Sequence, residues 1–157
     1  MTAIVCVSQN WGIGRDGALL FRISADLKRF KALTVGKTVI LGRKTLDTFP
    51  GGKPLKDRRN IVLSRRELDI PGAEIAHSFE EAAALGGDDA LVGGASVYMA
   101  LLSRCDRVYV TKVDAAPDAD SFFPDLDDNP DWRVASESEV FEENGLKFRF
   151  VDYVRNH

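Results

Sequence analysis

The sequence predicts one α/β domain spanning residues 1–157, with a mixed, mainly parallel sheet flanked by helices and a C-terminal antiparallel hairpin. Three observations lead there. Short runs rich in Val and Ile alternate with helical patterns, which implies βαβ crossovers. Those runs are continuously apolar rather than alternating, as suits strands covered on both faces. The end of the chain changes style, with two long strand patterns joined by Asn144-Gly145, a strong short hairpin signal.

In chain order, strands are expected at Ala3–Ser8, Thr38–Leu41, Asn60–Ser64, Ala90–Val92 and Arg107–Val113. Helices are expected near Ser24–Leu33, Arg43–Asp47, Ser78–Leu85 and Ser96–Leu102, with the Ser24 hydroxyl capping the first of them. Between Val113 and Trp132 stand seven Asp and no Lys or Arg, which reads as a solvated loop. Trp132–Phe141 and Leu146–Val154 complete the list.

With 157 residues the chain can bury about 70% of its unfolded surface and needs no disulfide or metal staple. Its 21 Lys+Arg against 24 Asp+Glu leave a net charge of −3, which excludes the basic excess of a nucleic-acid or anionic-membrane binder. No apolar run reaches the ~18 residues of a membrane span, and the first residues carry no signal-peptide pattern, so a cytoplasmic protein is expected. Two cysteines without a CxxC and only two histidines speak against a disulfide framework and against a zinc site; no metal is expected. Cys6 reads as a buried reduced thiol.

Gly12-Ile13-Gly14-Arg15-Asp16-Gly17 matches GxGxxG, the dinucleotide fingerprint. That motif needs a helix opening on its last glycine and an acidic residue about 20 positions on. Here Ala18–Ile23 follow without a polar cap and position 37 is Lys, so the fingerprint is rejected. What remains is a long loop with Trp11, Leu19, Leu20 and Phe21, of the kind that serves as a lid.

In the first helix Asp26, Phe30 and Leu33 share one stripe, with Leu27 beside them and Lys28, Arg29 and Lys31 on the polar side. An Asp in a first turn often does no more than complement the helix dipole. A carboxylate flanked by Leu and Phe also suits an amidine-like edge, where two N–H groups meet two oxygens. Downstream, three strand ends carry groups suited to phosphate: Gly93-Gly94 before a helix, Arg43-Lys44-Thr45, and Ser64-Arg65-Arg66. Ligands of open α/β sheets sit outside such carboxyl ends, and a nucleotide with several phosphates, one on a ribose, would use all three. Of Arg58 and Arg59 only one can face a pocket, and Arg58 is the candidate for holding a carboxylate.

Taken in order, Ile4–Val7, Gly12–Gly14, Ser24–Lys31, Val39–Thr45, Arg58–Ser64, Val92–Tyr98, Val108–Thr111 and Asp120–Pro124 resemble dihydrofolate reductase over essentially the whole chain. The resemblance implies NADPH as cofactor, with hydride transfer to C6 of 7,8-dihydrofolate and protonation at N5, in support of one-carbon metabolism and thymidylate synthesis. It implies that Asp26 binds the pterin 2-amino and N3 edge, supported by Thr111. Ile4, Val5, Leu27, Phe30, Phe49, Leu55 and Val92 would line the pterin and aminobenzoyl pocket, with Arg58 on the glutamate α-carboxylate. Cys6, Ile13, Gly14, Gly17, Ala18 and Leu19 would frame the nicotinamide side. Gly93, Gly94, Ala95, Ser96, Val97 and Tyr98 would hold the pyrophosphate, across a Gly93–Gly94 bond that is cis in this family. Gly42, Arg43, Lys44, Thr45, Leu63, Ser64, Arg65 and His77 would surround the adenosine end and its 2′-phosphate. A monomer acting on a small molecule, and open to antifolate inhibitors, is implied, with neither nucleic acid nor membrane as partner.

Two departures from the family pattern stand out. Leu20-Phe21 replaces the usual Pro-Trp, so Phe21 keeps the apolar wall but lacks the N–H that would help to hold a water beside the pterin. The 49–53 loop is longer than in the shortest members. Two alternatives are weighed beside the family reading: a reductase domain of riboflavin synthesis, and a nucleotide-binding module without catalysis. The Asp26–Phe30 helix and Arg58 favour folate over the first, and Asp26, Thr111 and the Gly93-Gly94 cradle argue against the second.

Overall fold

The computed structural model describes residues 1–87, 90–93 and 95–156. In chain order its elements are β1 (Thr2–Val7), β2 (Gly12–Arg15), β3 (Ala18–Leu19), α1 (Ser24–Thr34), β4 (Thr38–Gly42), α2 (Arg43–Leu46), β5 (Arg59–Leu63), β6 (Ala73–Ala76), α3 (Phe79–Gly86), β7 (Leu91–Gly93), α4 (Ala95–Leu101), β8 (Arg107–Val113), β9 (Ser121–Phe122), β10 (Trp132–Glu137), β11 (Phe141–Glu143) and β12 (Leu146–Arg155). The main sheet runs β10-β12-β8-β1-β7-β4-β5-β6, with β11 on β12. From β8 to β6 every pairing is parallel, whereas β12 joins β8 antiparallel. The mainly parallel sheet with an antiparallel C-terminal hairpin is therefore the observed architecture.

Alternation along the strands sends side chains into different cores. Ile40 and Ile61 join Ala3, Val5, Val7, Val108 and Val110 in the main cluster, with Ala82 and Ala83 of α3 and Val97 and Leu101 of α4. Val39, Leu41 and Val62 pack with Leu46 in a second cluster, and Ile23, Val113 and Phe148 with Cys6, Phe21, Ala25 and Phe150 in a third. Both faces of β4 and β5 are covered, which is why their sequences read as unbroken apolar runs.

Several expectations need correction. The segment read as a long lid loop contains a hairpin: β2 pairs with β3 and, on its other side, with β9 in a small second sheet. Asp16 and Gly17 turn it with φ of 53° and 78°, the left-handed pair of a type I′ turn, so Asp16-Gly17 was a hairpin signal inside a motif read for its glycines. Trp11 is not on the lid surface but 6% exposed in the main core, stacked on Phe123. β6 was not foreseen because four residues after Pro71-Gly72 carry too little pattern. The strand expected at Trp132–Phe141 breaks after Glu137, where the Ser138 hydroxyl accepts the Phe150 N–H in place of a backbone carbonyl (2.8 Å). The Asn144-Gly145 turn stands as expected, with φ of 52° and 80°.

α3 is capped locally, Ser78 Oγ accepting from the Glu81 N–H (3.0 Å). At its other end Gly86 lies so close to the sheet that a Cβ would come 2.9 Å from both Ala90 Cβ and Ile40 Cδ1. Gly86→Ala is therefore expected to destabilise the fold by about 1–3 kcal/mol through overpacking, read as a fall in the thermal midpoint.

Candidate active site

β1 has a half-exposed and a buried face: Thr2, Ile4 and Cys6 are half-buried, while Ala3, Val5 and Val7 are buried. α1 lies over the first of these faces. Its third residue, Asp26, is half-buried and accepts a hydrogen bond from Thr111 Oγ1 to Oδ1 (2.6 Å). Thr111, only 3% exposed, stands on β8 opposite Cys6 in the ladder. The stripe that set Asp26 apart from the solvent side thus holds. Phe30 and Leu33 are half-buried on the same helix, whereas Leu27 is 48% exposed at its edge.

Burial raises the Asp26 pKa, and the Thr111 hydrogen bond and the Arg29 charge act against that rise. Burial first, and then the charge of Asp26, push the Cys6 thiol far up, so it stays neutral. Arg29 corrects the expectation that it belongs to the solvated side. Its guanidinium donates to Asp152 Oδ1 (2.8 Å) and lies over the rings of Phe150 (4.5 Å) and Tyr109 (5.3 Å), leaving the side chain 23% exposed. The aliphatic stem and planar head of Arg make such a position possible where Lys would reach for water.

The cap of α1 also differs from expectation. The N-cap is Ile23, which has no side-chain acceptor, and Ser24 is inside the helix. Glu143 of β11 accepts from the Ser24 N–H (2.7 Å), the Ser24 hydroxyl (2.6 Å) and the Ala25 N–H (3.3 Å). No sequence signal marks this contact, because 119 residues separate the partners.

At the far end of α1, Arg58 donates through Nη1 to Thr34 Oγ1 (3.1 Å) and through Nε to the Lys56 carbonyl (2.8 Å). Arg59 points elsewhere, to Glu74 and the Leu85 carbonyl, so the division between the two arginines is as expected. Asn60, absent from the expected site, is 2% exposed and binds the Leu55 N–H and the Leu55 and Arg58 carbonyls, fixing the loop that carries Leu55 and Arg58. Phe49 and Leu55 are half-buried. Phe21 packs at the edge of the Ile23–Phe148 cluster. The Val5 side chain belongs to the main core, away from Asp26, which leaves only its backbone to this face.

The carboxyl ends of β7, β4 and β5 are neighbours, with Leu41 paired to Gly93 and Gly42 to Leu63. Two adjacent strands thus end in glycine, and Arg43, Lys44 and Arg65 are exposed just beyond, with Thr45 and Ser64 half-buried. Arg43 pairs with Asp47. His77 closes the row, its Nδ1 3.0 Å from the Ser64 carbonyl oxygen. Val97 and Tyr98 are buried in α4, and the Tyr98 hydroxyl donates to the Ile4 carbonyl (2.5 Å), joining this edge to β1. Gly94, and with it the expected cis bond, lies outside the described residues. Gly14, Ala18 and Leu19 stand on the β2–β3 hairpin with Gly17 at its turn, and Ile13 is buried beneath it.

Two expectations follow from the electrostatics. Because folding raises the Asp26 pKa above its ordinary value of 3.8, the folded state binds the proton more tightly, and stability falls as pH rises through the folded pKa. Asp26→Asn should therefore unfold at a higher temperature than wild type at neutral pH, with the gap closing toward pH ~4. Removing the positive charge in Arg29→Met should move the carboxyl pKa further up, and Arg29→Lys should move it less. A pH titration of the Asp26 carboxyl by NMR reads both.

A family model described as dihydrofolate reductase matches residues 1–155. A dihydrofolate reductase of Neisseria meningitidis serogroup B is 39% identical over 160 residues, covering 99% of this chain and 98% of that protein. One from Staphylococcus aureus is 34% identical over 146 residues, covering 91% and 90%. Among solved structures, a dihydrofolate reductase from Enterococcus faecalis in complex with NADP(H) and RAB-propyl superposes with a TM-score of 0.88 at 29% identity, covering 99% of this chain and 96% of that one. Such agreement over the full length leaves no room for a riboflavin-pathway domain: an inward carboxyl on α1, a threonine behind it and the neighbouring ends of β7, β4 and β5, two of them basic, belong here to a chain of the dihydrofolate reductase family.

Proposed function

We propose that the chain reduces 7,8-dihydrofolate to 5,6,7,8-tetrahydrofolate with NADPH, and that Asp26 is the group that orients the pterin. The observation that carries this reading is the Asp26 carboxyl, half-buried over the open face of β1 and held on one side by Thr111.

With Oδ1 engaged by Thr111, Oδ2 and the remaining lone pair of Oδ1 are left to accept from two N–H groups of a flat heterocycle. The 2-amino and N3 edge of a pterin offers that pair. Burial raises the pKa of this carboxyl, so it holds a proton more readily than a solvated one, which suits a reaction that ends with protonation at N5. Phe21 adds apolar wall and carries no donor, so in this reading the proton reaches N5 by water without help from residue 21. Ile4, Leu27, Phe30, Phe49, Leu55 and Val92 line the pocket, the backbone at Val5 passes beside it, and Arg58 receives the substrate's α-carboxylate.

The cofactor edge fits a dinucleotide with an extra phosphate. Side chains are absent where Gly42 and Gly93 end neighbouring strands, so a pyrophosphate can approach the backbone, and the cations of Arg43, Lys44 and Arg65 cluster beside that gap. NADPH, when bound, supplies the hydride that C6 receives. Gly94, Ala95, Ser96, Val97 and Tyr98 belong to the pyrophosphate side. Thr45, Leu63, Ser64 and His77 flank the adenosine end. Cys6, Ile13, Gly14, Gly17, Ala18 and Leu19 shield the nicotinamide from water, and the thiol, held neutral, brings no charge to that wall. All these residues come from one chain, and we read the protein as a monomer working in the cytoplasm on a small molecule, inhibited by antifolates. Among the described residues no helix is long and apolar enough to cross a membrane.

Purified protein should oxidise NADPH only when dihydrofolate is added, followed by loss of NADPH absorbance. Asp26→Asn should lower kcat/KM at neutral pH by about 10²-fold or more; full turnover in that variant would remove the role given to Asp26. The double variant Lys44→Ala/Arg65→Ala should raise the KM for NADPH by roughly ten-fold or more while leaving the weaker use of NADH unchanged, since each loses a charge-assisted contact to the 2′-phosphate.

A further inference from the structure

α1 is the helix that carries Asp26, and it has no cap of its own: Ile23, at the N-cap, is 1% exposed and offers no acceptor. The first N–H groups of a helix must find partners elsewhere. The Ser24 and Ala25 N–H groups find theirs on Glu143, whose Oε2 accepts from the Ser24 amide and whose Oε1 accepts from the Ser24 hydroxyl and the Ala25 amide. Asp26 is the next residue along.

Glu143 is itself held. It is the last residue of β11 before the Asn144-Gly145 turn and faces Leu146 in the ladder. Phe141 stacks near Phe148 and Phe150, with centroids 5.9 and 5.8 Å apart. Phe148 and Phe150 belong to the cluster that also contains Ile23 and Ala25. β12 therefore pairs on one side with the strand that carries Glu143 and on the other with the strand that carries Thr111, at Phe150 opposite Thr111. Asp26 is located twice from the same ladder, through its carboxyl by Thr111 and, through the amides of the two residues before it, by Glu143. Those hydrogen bonds also hold the Glu143 carboxyl below the usual carboxylate range, so it remains a charged acceptor across the working pH of the enzyme.

We propose that Glu143 is a positioning residue for Asp26: by capping α1 from the C-terminal hairpin it sets the height and rotation of the helix's first turn, and so the direction in which the Asp26 carboxyl meets the substrate. The proposal rests on the reading of Asp26 as the pterin-binding group. Its effect belongs to the substrate side alone, because among the described residues the hydrogen bonds of the Glu143 carboxylate all go to Ser24 and Ala25 at the start of α1.

The test compares wild type, Glu143→Ala, Glu143→Gln and Gly145→Ala as full-length chains. The Gly145 change strains a turn at φ 80° and weakens the hairpin without touching the carboxylate. Four quantities are measured for each: the thermal midpoint, the Kd for NADPH, the KM for dihydrofolate, and the Kd for a 2,4-diaminopyrimidine probe, which needs the same carboxyl but no turnover. Glu143→Ala should raise the dihydrofolate KM and the probe Kd roughly ten-fold, as small displacements of an orienting group do, and leave the NADPH Kd unchanged. Glu143→Gln, which keeps one acceptor for the Ser24 hydroxyl, should recover most of the loss. Gly145→Ala should lower the midpoint while leaving KM and probe Kd near wild type. A Glu143→Ala protein that is folded and keeps the wild-type probe Kd overturns the proposal, and so does an equal loss in Gly145→Ala, which would assign the effect to the hairpin rather than to the carboxylate. Failure of the functional reading looks different: wild type would then leave dihydrofolate unreduced, while the probe Kd would still decide the role of Glu143.

Discussion

A carboxyl held away from water is the constraint on which this structure depends. Taking Asp26 out of solvent costs free energy, and burial accordingly raises its pKa. The offsetting contacts are a hydroxyl from β8 and the guanidinium of Arg29, a neighbour on α1 that is itself fixed by Asp152 of β12. A helix displaced or rotated from the sheet would lose these contacts and keep the cost. Much of the architecture around α1 can be read as what keeps that from happening.

The same sheet keeps two ligand chemistries apart. Asp26 lies over the β1–β8 region, where the acceptor is anionic, and the basic residues collect beyond β4 and β5 on the other side of β7. β7 separates the two regions, and on it the small residue Gly93 stands beside Leu41. Parallel strands bring their carboxyl ends to one edge, so three separate strand ends meet without any one segment containing the whole binding surface. The β2–β3 hairpin is anchored by the Asp120 carboxylate accepting the Asp16 N–H (2.9 Å) and by Trp11 in the core. Leu19 of β3, paired with Gly14, remains 55% exposed.

What could be read in the sequence follows from how local each cause is. Continuous Val/Ile runs, the Asn144-Gly145 turn and the helix beginning near Ser78 have local causes, and each is found where it was expected, within a residue or two. Asp26 could be singled out because a helix period places it beside Phe30 and Leu33. Arg29 could not, since the same period puts it with Lys28 and Lys31, and only the aromatic faces of Tyr109 and Phe150 with Asp152 draw it inward. The Ser24 cap failed for a related reason: a serine before an apolar helix carries the signal, but a better acceptor from the hairpin took the amides and turned the hydroxyl into a donor. Asn60 was passed over because it reads as a polar start to a strand. Its role is visible only once the loop from Leu55 to Arg58 is seen folding back on it.

Arg29, Glu143 and Thr111 have in common that β12 relates them. It is antiparallel in an otherwise parallel core, and an antiparallel partner can return by a two-residue turn where a parallel one needs a crossover. That economy lets residues near the chain's end lie against a helix near its beginning. Asp152 and Phe150 of β12 hold Arg29, the Phe150 position faces Thr111, and the turn at its start presents Glu143. Each contact is modest by itself. Fixed to one strand, they share a common frame, so a shift that strains one strains the others. The accuracy with which Asp26 is aimed is therefore a property of the strand ladder, and the C-terminal hairpin is as much a part of the candidate active site as the helix that bears the carboxyl.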